Sequence, residues 1–294
     1  MSRILISGCN GQLGHDCQAV LQNHELLAVD LPQIDITSRE SVQSLVESFK
    51  PDFLVNCAAY TAVDKAESDE KLCAVVNADG PAVLAEVCKA RHVFLVHVST
   101  DYVFNGSLPV PQAWVETDQP DPTTAYGRTK LAGEQAIAAA HCRHAILRTA
   151  WLYGAHGKNF PKTMLRLALT DPQKTIRVVA DQYGCPTWSL RLANQIKTII
   201  ESPIPPQGLF HSVAQGYASW YEFAAEFLRL MDVPHSVQPC TTADYPTPAK
   251  RPANSILEDR ALKTIGLCKM DDWKVALAEF VKLNRSALLA EFAR

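Results

Sequence analysis

Tyr126 and Lys130 have the spacing of a proton-transferring pair. They bound the segment Tyr126-Gly127-Arg128-Thr129-Lys130, and side chains at positions i and i+4 lie on the same face of a helix. A free phenol with a pKa of about 10 is a poor acid or base at neutral pH. A neighbouring ammonium stabilises the phenolate and lowers that pKa. The pair therefore predicts a catalytic tyrosine assisted by a lysine, although chance alone produces this spacing often.

Hydroxyl side chains upstream make the prediction more specific. Ser99, Thr100 and Asp101 follow the apolar sequence of a predicted strand, so they are expected at its carboxyl end. A hydroxyl at that position can hydrogen-bond a substrate carbonyl oxygen as negative charge develops on it. We therefore predict a catalytic hydroxyl at Ser99 or Thr100, together with Tyr126 and Lys130. The alternative is that Ser99 and Thr100 only cap the end of the strand.

A glycine-rich turn directly follows the first apolar run of the chain. Its glycines begin at Gly8 and have the spacing Gly-x-x-Gly-x-x-Gly, which differs from the Gly-x-Gly-x-x-Gly of dehydrogenases with a separate Rossmann domain. Such a turn lets backbone amides approach a diphosphate at the N-terminus of the next helix, but a glycine triplet alone is also compatible with a plain turn. The predicted contacts of the turn with a dinucleotide are Gly8, Asn10, Gly11, Gln12, Leu13 and Gly14.

Asp30 ends the second apolar run, close to the offset at which a carboxylate binds the adenosine ribose of a dinucleotide. A carboxylate there accepts hydrogen bonds from ribose hydroxyls and repels a 2′-phosphate, which favours NADH. Arg39 follows in the sequence and could lie near a 2′-phosphate, so NADH and NADPH both stay open. The alternative is that Asp30 only caps a loop.

Other residues complete the predicted cofactor site. Asp35 and Ile36 are expected beside the adenine ring. Ala58, Ala59 and Tyr60 follow the third apolar run, where small side chains let the backbone pass close under the cofactor. At the nicotinamide end the predicted contacts are Ser99, Tyr126 and Lys130.

Short apolar runs alternate with amphipathic segments in the first half of the chain. This alternation predicts βαβ units and an α/β fold with a doubly wound, parallel, Rossmann-type sheet. Residues 1–150 are predicted to be mainly the NAD(P)-binding domain, and residues 151–294 mainly a smaller C-terminal substrate-binding part with some segments returning to the sheet. The predicted strands contain residues 4–6, 26–29, 53–55, 93–96 and 145–147, and the predicted helices residues 38–50, 81–90, 189–200, 219–231 and 272–283.

The composition excludes several classes of protein. Hydrophobic residues make up 47% of the 294 residues and charged residues 20%, as in ordinary globular proteins. A net charge of −3 supplies no positive field for nucleic acid, and no apolar run approaches the roughly 18 residues that cross a bilayer. The nine scattered cysteines indicate buried thiols in a reducing compartment. We therefore expect a cytoplasmic protein with no membrane segment and no nucleic-acid partner.

Several longer motifs resemble a known family. The glycine triplet, Asp30, Ser99-Thr100 and Tyr126-x-x-x-Lys130 are similar to those of the extended short-chain dehydrogenase/reductase superfamily. Within it, the chain resembles the dTDP-4-dehydrorhamnose reductase family from the first strand to at least Leu257. The segments that carry the closer resemblance are Thr61-Ala62-Val63-Asp64-Lys65-Ala66-Glu67, Ser99-Thr100-Asp101-Tyr102-Val103-Phe104, Tyr126-Gly127-Arg128-Thr129-Lys130-Leu131-Ala132-Gly133-Glu134, Arg148-Thr149-Ala150-Trp151-Leu152-Tyr153, Gln182-Tyr183-Gly184-Cys185-Pro186-Thr187 and Pro246-Thr247-Pro248-Ala249-Lys250-Arg251-Pro252.

The resemblance implies the last step of dTDP-L-rhamnose synthesis. NADH or NADPH would supply a hydride to C4 of dTDP-4-dehydro-L-rhamnose, Tyr126 would donate the proton, Lys130 would tune it and Thr100 would orient the carbonyl. The implied contacts with the dTDP-sugar are Thr100, Asp101, Trp151 and Arg251. Trp151 is also compatible with a core position, and Arg251 with a solvated surface.

Some members of the family pair through a metal bound by carboxylates. Asp16 could supply one such ligand, but Leu190 and Arg191 occupy the stretch where another acid is expected. We therefore expect no metal, and a monomer or weak homodimer.

Two other functions fit the same motifs. A related sugar-nucleotide epimerase or reductase would share the fold, the cofactor and the Tyr/Lys pair, whereas a dehydratase would need an acid after Asp101, where Tyr102 stands. A non-catalytic NADP-binding regulatory subunit could use the same fold without turnover. The complete set of Thr100, Tyr126 and Lys130 argues against a regulatory subunit.

Overall fold

The computed structural model describes residues 1–233 and 236–292. Its strands, in chain order, are β1 (Arg3–Ser7), β2 (Glu25–Val29), β3 (Phe53–Asn56), β4 (Phe94–Thr100), β5 (His144–Thr149), β6 (Leu152–Tyr153), β7 (Ile176–Val179), β8 (Tyr183–Gly184), β9 (Thr187–Trp188), β10 (Gly208–His211), β11 (Ala218–Ser219) and β12 (Val237–Cys240). Its α-helices are α1 (Gln12–Val20), α2 (Arg39–Phe49), α3 (Val63–Ala66), α4 (Glu70–Ala74), α5 (Gly80–Arg91), α6 (Ala125–Ala140), α7 (Phe160–Thr170), α8 (Ser189–Ile200), α9 (Trp220–Leu230), α10 (Arg260–Thr264) and α11 (Trp273–Phe292).

A six-stranded parallel sheet forms the centre of the fold, in the order β10-β5-β4-β3-β1-β2. The direction of winding reverses between β1 and β3, because β2 lies on one side of β1 and the later strands on the other. The predicted α/β class with a doubly wound parallel sheet is confirmed. All five predicted strands belong to this sheet, and β10 adds a sixth that the sequence did not predict.

Both faces of the sheet are covered by helices, which explains why its strands are continuous apolar runs. Ile6 and Val96 face one side and pack with residues of α1 and α8, such as Ile196. Leu5 and Leu95 face the other side, where α2, α5 and α6 cover them. Because α8 and β10 come from the second half of the chain, that half contributes directly to the main sheet.

The second half also builds a separate core. Its buried centre includes Tyr153, Trp188, Phe223 and Phe280, and α7, α9 and α11 surround it. Helix α11 continues to Phe292, beyond the predicted end at residue 283. Asn284 and Arg285 interrupt the apolar pattern there, but Leu288 is buried and holds the last turns against the core.

Side-chain N-caps mark the first residues of α2 and α6. Ser38 caps α2, accepting a hydrogen bond from the Ser41 amide at 3.3 Å. Thr124 caps α6 by accepting from the Gly127 amide at 3.0 Å, which puts Tyr126 in the first turn of that helix. Within the described residues, no helix combines the length and apolar character that crossing a membrane would require.

Candidate active site

The candidate site lies at the carboxyl edge of the sheet, where β1, β3 and β4 end next to one another. Ser7, Asn56 and Thr100 are the last residues of these three strands. Ser7 is in register with Asn56, and Asn56 with His97 of β4. Open α/β sheets bind ligands in the crevice outside this edge, at the point where the winding reverses. The structure therefore brings the glycine-rich turn and the predicted catalytic residues to the same edge.

The glycine-rich turn has the shape of a dinucleotide cradle. Gly8 has φ +72°, and a Cβ there would lie 2.6 Å from the Ala58 amide nitrogen. A Cβ at Gly14 would lie 2.3 Å from the Gly8 carbonyl oxygen, so both positions require glycine. Helix α1 begins at Gln12 with Gly11 as its N-cap and no side-chain cap. Its first amides are therefore left for an anion such as a diphosphate, and these residues fit a dinucleotide.

Asp30 holds the glycine-rich turn against β2. Its Oδ2 accepts a hydrogen bond from the Asn10 amide at 3.1 Å, and its Oδ1 accepts one from the Leu31 amide at 2.9 Å. The Asp30 carboxylate thus caps the loop, which was the alternative to ribose binding, and it does so at the position where a ribose is expected. Arg39 is paired with Glu86 in the structure.

The predicted adenine contacts lie further along the same edge. Ile36 is buried and lies against Gly80. A Cβ added at Gly80 would lie 2.9 Å from the Cδ1 atom of Ile36. Asp35 is exposed, and its Oδ1 accepts hydrogen bonds from the Thr37 amide at 2.9 Å and the Thr37 hydroxyl at 2.7 Å.

Asn77 positions the loop that contains Ala58, Ala59 and Tyr60. Its Oδ1 accepts from the Tyr60 amide at 2.8 Å, and its Nδ2 donates to the Tyr60 carbonyl at 3.0 Å. Asn77 lies in a π-helical turn, Val75–Asp79, a local widening that often marks functional sites. Asn77 was not predicted, and the segment 70–91 gives no signal for it beyond the break in its helical pattern.

Tyr126 and Thr100 lie together in the buried part of the site. Thr100 is 5% exposed and Tyr126 is 9% exposed. Burial raises the pKa of the Tyr126 phenol above its ordinary value, and a hydrogen bond with Thr100 acts in the opposite direction. The pKa of Tyr126 is therefore raised, whereas a lowering by Lys130 was expected from the sequence, and Tyr126 holds its proton at neutral pH.

Lys130 is buried on the same face of α6. Its Nζ donates to the Val98 carbonyl at 2.7 Å and lies 3.3 Å from His97 Nε2. Burial lowers the pKa of Lys130 to about 8, while Glu134 opposes that shift. The ammonium form therefore predominates at pH 7 and is lost as the pH rises through about 8.

The residues at the end of β4 and directly after it are buried. Ser99 and Asp101 are almost fully buried, and the Thr100 hydroxyl donates to Asp101 Oδ1 at 2.9 Å. Burial raises the pKa of Asp101 to about 6, and the hydroxyls of Ser255 and Thr100 act in the opposite direction. No local pattern in the sequence singles out Ser255.

Trp151 lies just after β5 and has a left-handed backbone, φ +47°. Its ring stacks on that of Trp220, with centroids 3.4 Å apart and planes 4° from parallel. A Cβ at Gly184 would lie 2.4 Å from the indole nitrogen, so β8 backs the other part of the ring. A non-glycine residue in this backbone conformation is uncommon, and such residues cluster at functional sites.

Arg251 reaches the site from the late Pro-rich segment. Its guanidinium donates to Asp64 Oδ2 at 2.8 Å and to the Tyr102 hydroxyl at 2.8 Å. Tyr102 in turn meets Tyr126 edge-on, with ring centroids 5.5 Å apart. Arg251 is therefore linked to Tyr126 through Tyr102 rather than solvated on a remote surface.

Asp16, which was weighed as a metal ligand, and Arg191, which stands where a second acid was expected, both have side-chain partners. Asp16 accepts a hydrogen bond from the Ser189 hydroxyl, and Arg191 pairs with Asp271 at 2.8 Å. Among residues 1–233 and 236–292, no cluster of three or more His, Cys, Asp or Glu side chains is placed to hold a metal ion. That no metal is used stays a prediction.

The fold and this site define a dinucleotide-binding α/β protein of the short-chain dehydrogenase/reductase type. The chain matches the family described as the RmlD substrate binding domain over residues 1–286. It is also 40% identical to the dTDP-4-dehydrorhamnose reductase of Sinorhizobium fredii, over 95% of this chain and 96% of that protein. The chain belongs to the dTDP-4-dehydrorhamnose reductase family, which confirms the resemblance seen in its motifs.

Other relatives extend the comparison. A protein of Streptomyces antibioticus named as a probable dTDP-4,6-dihydroxy-2-methyloxan-3-one 4-ketoreductase is 42% identical, covering 94% of each chain. The crystal structure of a dTDP-4-dehydrorhamnose reductase from Clostridium acetobutylicum has a TM-score of 0.91 and 40% identity, covering 96% of this chain and 99% of that one. The family member from Bacillus anthracis, solved in complex with NADP, has a TM-score of 0.92 and 36% identity over the same shares of the two chains.

Proposed function

We propose that this chain uses NADH or NADPH to reduce the C4 keto group of a dTDP-4-dehydro-6-deoxy sugar, converting dTDP-4-dehydro-L-rhamnose to dTDP-L-rhamnose. The observation that carries the proposal is that Thr100, Tyr126 and Lys130 are all buried at the edge of the sheet that also holds the glycine cradle. The names of the relatives support the substrate class, because they share a dTDP-linked sugar ketone. The predicted cytoplasmic location and the predicted monomer or weak homodimer stay predictions.

In the proposed reaction the chain's own residues handle the proton. A reduced nicotinamide, when bound, supplies the hydride. Thr100 orients the substrate carbonyl, and Tyr126 gives its phenolic proton to the oxygen as negative charge develops there. The raised pKa of Tyr126 suits this direction, since the phenol is protonated before each turnover. The Lys130 ammonium then stabilises the phenolate that remains.

The proposed substrate contacts are Asp101, Trp151 and Arg251, together with Thr100. A guanidinium has five N–H donors, of which Asp64 and Tyr102 take two, and the others can meet a diphosphate. The stacked indoles of Trp151 and Trp220 offer an aromatic surface to the nucleobase or the apolar face of the deoxy sugar.

A direct assay tests this proposal. The purified chain is mixed with NADH or NADPH and a dTDP-4-keto-6-deoxy sugar, with the UDP-linked ketone as the matched control, and loss of reduced nicotinamide is followed by absorbance. We expect stoichiometric consumption with the dTDP sugar. Turnover without net consumption would instead indicate an epimerase. Cofactor binding without turnover on any 4-keto sugar nucleotide would indicate a regulatory subunit.

Replacing Asp30 by asparagine should shift cofactor preference toward NADPH. The carboxylate faces the expected ribose, and removing its charge removes the repulsion of a 2′-phosphate, so the ratio of kcat/KM for NADPH to that for NADH should rise about tenfold. Because the effect is electrostatic, it should shrink in high salt. An unchanged ratio would mean that Asp30 only holds the amides of Asn10 and Leu31.

Replacing Trp220 by alanine should weaken substrate binding more than it slows chemistry. The indole is the stacking partner of Trp151, and the loss of such a pair corresponds to roughly 0.5–1.5 kcal/mol. We expect KM for the sugar nucleotide to rise by up to about tenfold with kcat little changed. Tyr221→Ala, on the same helix, is the control and should leave KM unchanged. An equal rise in KM in both variants would show a general loosening of α9.

A further inference from the structure

His97 lies directly beneath Lys130 and is fully buried on β4. Its Nε2 is 3.3 Å from Lys130 Nζ, and its Nδ1 is 3.0 Å from Asn56 Nδ2. The imidazole therefore joins the catalytic lysine to Asn56, the last residue of β3. Because the imidazole is buried, the hydrogen-bond donors and acceptors around it determine which ring nitrogen carries the proton.

The orientation of the Asn56 amide follows from its other contacts. Its Oδ1 lies 3.2 Å from the Ala58 amide nitrogen and 2.8 Å from the Ser7 hydroxyl. A backbone N–H can only donate, so the atom facing it must be the amide oxygen rather than the amide nitrogen. Asn56 Nδ2 consequently points at His97 and donates to its Nδ1.

This contact fixes the tautomer of His97. Burial lowers the pKa of His97 well below its ordinary value, and the Lys130 and His144 charges add to that effect, so the ring is neutral. A neutral imidazole has a single N–H. Because Nδ1 is an acceptor, the proton is on Nε2, and the Nε2–H points at Lys130 Nζ.

An N–H aimed at Nζ affects the two forms of the lysine differently. An ammonium has three donors and no acceptor, so it gains nothing from the ring and is held only by acceptors such as the Val98 carbonyl. A neutral amine has a lone pair that can accept the Nε2–H. Two other titratable groups act on the Lys130 pKa, Glu134 on α6 and Cys73 on α4, and both favour the ammonium.

We propose that His97 is a positioning residue for Lys130, which presents a fixed Nε2–H to the lysine nitrogen and favours its neutral amine form. The proposal rests on the role of Lys130 in the proposed function. It links the cradle to the catalytic pair, because the Ala58 amide next to the expected cofactor orients Asn56, which sets the His97 tautomer. The expected effect of His97 is that the Lys130 ammonium loses its proton at a lower pH than it would without the imidazole.

The tautomer can be measured in the unmodified protein without any sugar substrate. In protein with ¹⁵N-labelled histidine, the His97 resonances, assigned by their loss in His97→Asn, should show a protonated Nε2 and a bare Nδ1 at neutral pH. A protonated Nδ1, or a charged ring, would overturn the proposal. Failure of the proposed reductase activity would leave this result unaffected, so the two outcomes are separable.

The effect on Lys130 is tested in the His97→Asn variant. The shorter amide can still accept from Asn56 Nδ2, while the space beside Nζ opens to water, which accepts from an ammonium. We expect the proton affinity of Lys130, followed by the ¹³Cε shift of labelled lysine, to rise about tenfold. The basic limb of the plot of kcat against pH should move up by about one pH unit, which corresponds to that tenfold change. KM for the sugar should be unchanged.

His144→Asn is the matched control. His144 also lies near His97, but its Nδ1 contacts the Cys142 carbonyl at 2.9 Å, and its replacement should leave the Lys130 titration in place. A folded His97→Asn protein with an unshifted lysine titration would show that His97 is only structural. If that variant does not fold, the wild-type tautomer measurement still decides the proposal.

Discussion

Tyr126→Phe should lower kcat for the dTDP-4-keto sugar by about 10²–10⁴-fold, the usual contribution of a positioned general acid. The affinity for NADH or NADPH should change little. The phenol is buried beside Thr100 and protonated at neutral pH, and phenylalanine keeps its ring while removing the proton that the alkoxide needs. Stopped-flow single-turnover rates separate this step from product release, and fluorescence titration gives the cofactor affinity.

Tyr102→Phe is the matched control for that experiment. Tyr102 is a second phenol in the same site, edge-on to Tyr126, and its hydroxyl accepts a hydrogen bond from Arg251. Its loss should raise KM for the sugar nucleotide more than it lowers kcat, because it acts through Arg251. A full single-turnover rate in Tyr126→Phe would remove Tyr126 from the mechanism, and equal kcat losses in both variants would point to general damage of the site.

The sequence predicted the parts of the fold that depend on local pattern. Apolar runs such as residues 53–55 must be strands buried on both faces, and Ser38 is a recognisable cap, so the sheet and α2 follow from short windows of sequence. Tyr126 and Lys130 were predicted for the same reason, since helical spacing alone puts them on one face.

The rest of the site depends on contacts between distant segments. His97 stands inside an apolar strand and resembles an ordinary core residue until Lys130 is seen above it. Arg251 is 187 positions from Asp64, and no local pattern joins them. Strand β10 follows a Pro-rich stretch and has only four residues, so its place in the sheet is set by packing against β5 rather than by its own sequence.

Arg148 and Glu134 form a buried ion pair that fastens α6, the helix of Tyr126 and Lys130, to β5. The guanidinium donates to Glu134 Oε1 at 2.9 Å through Nε and to Oε2 at 2.6 Å. The two side chains are only 2% and 6% exposed. A charge at this depth is tolerated only while it is paired and hydrogen-bonded, so the bridge is expected to matter for folding as well as for the geometry of the site.

Glu134→Ala should therefore destabilise the protein by about 3–5 kcal/mol, since it leaves the Arg148 guanidinium buried without its partner. Urea unfolding should show a lower midpoint with an unchanged slope. The matched control is Glu70→Ala. Glu70 on α4 accepts two hydrogen bonds, at 3.0 and 3.1 Å, from Arg128, which lies on α6 like Glu134. The side chains of this pair are 45–48% exposed. The loss of the pair should therefore cost at most about 1 kcal/mol.

A double replacement separates the lost pairing from the lost charge. In Glu134→Leu/Arg148→Met both charges are removed and the volume is largely kept, so most of the stability should return, because a buried pair can be replaced by apolar side chains at little cost. Equal losses in the Glu134→Ala and Glu70→Ala variants would contradict a role for burial. A double variant as unstable as Glu134→Ala would show that α6 needs the charged bridge itself to stay on β5.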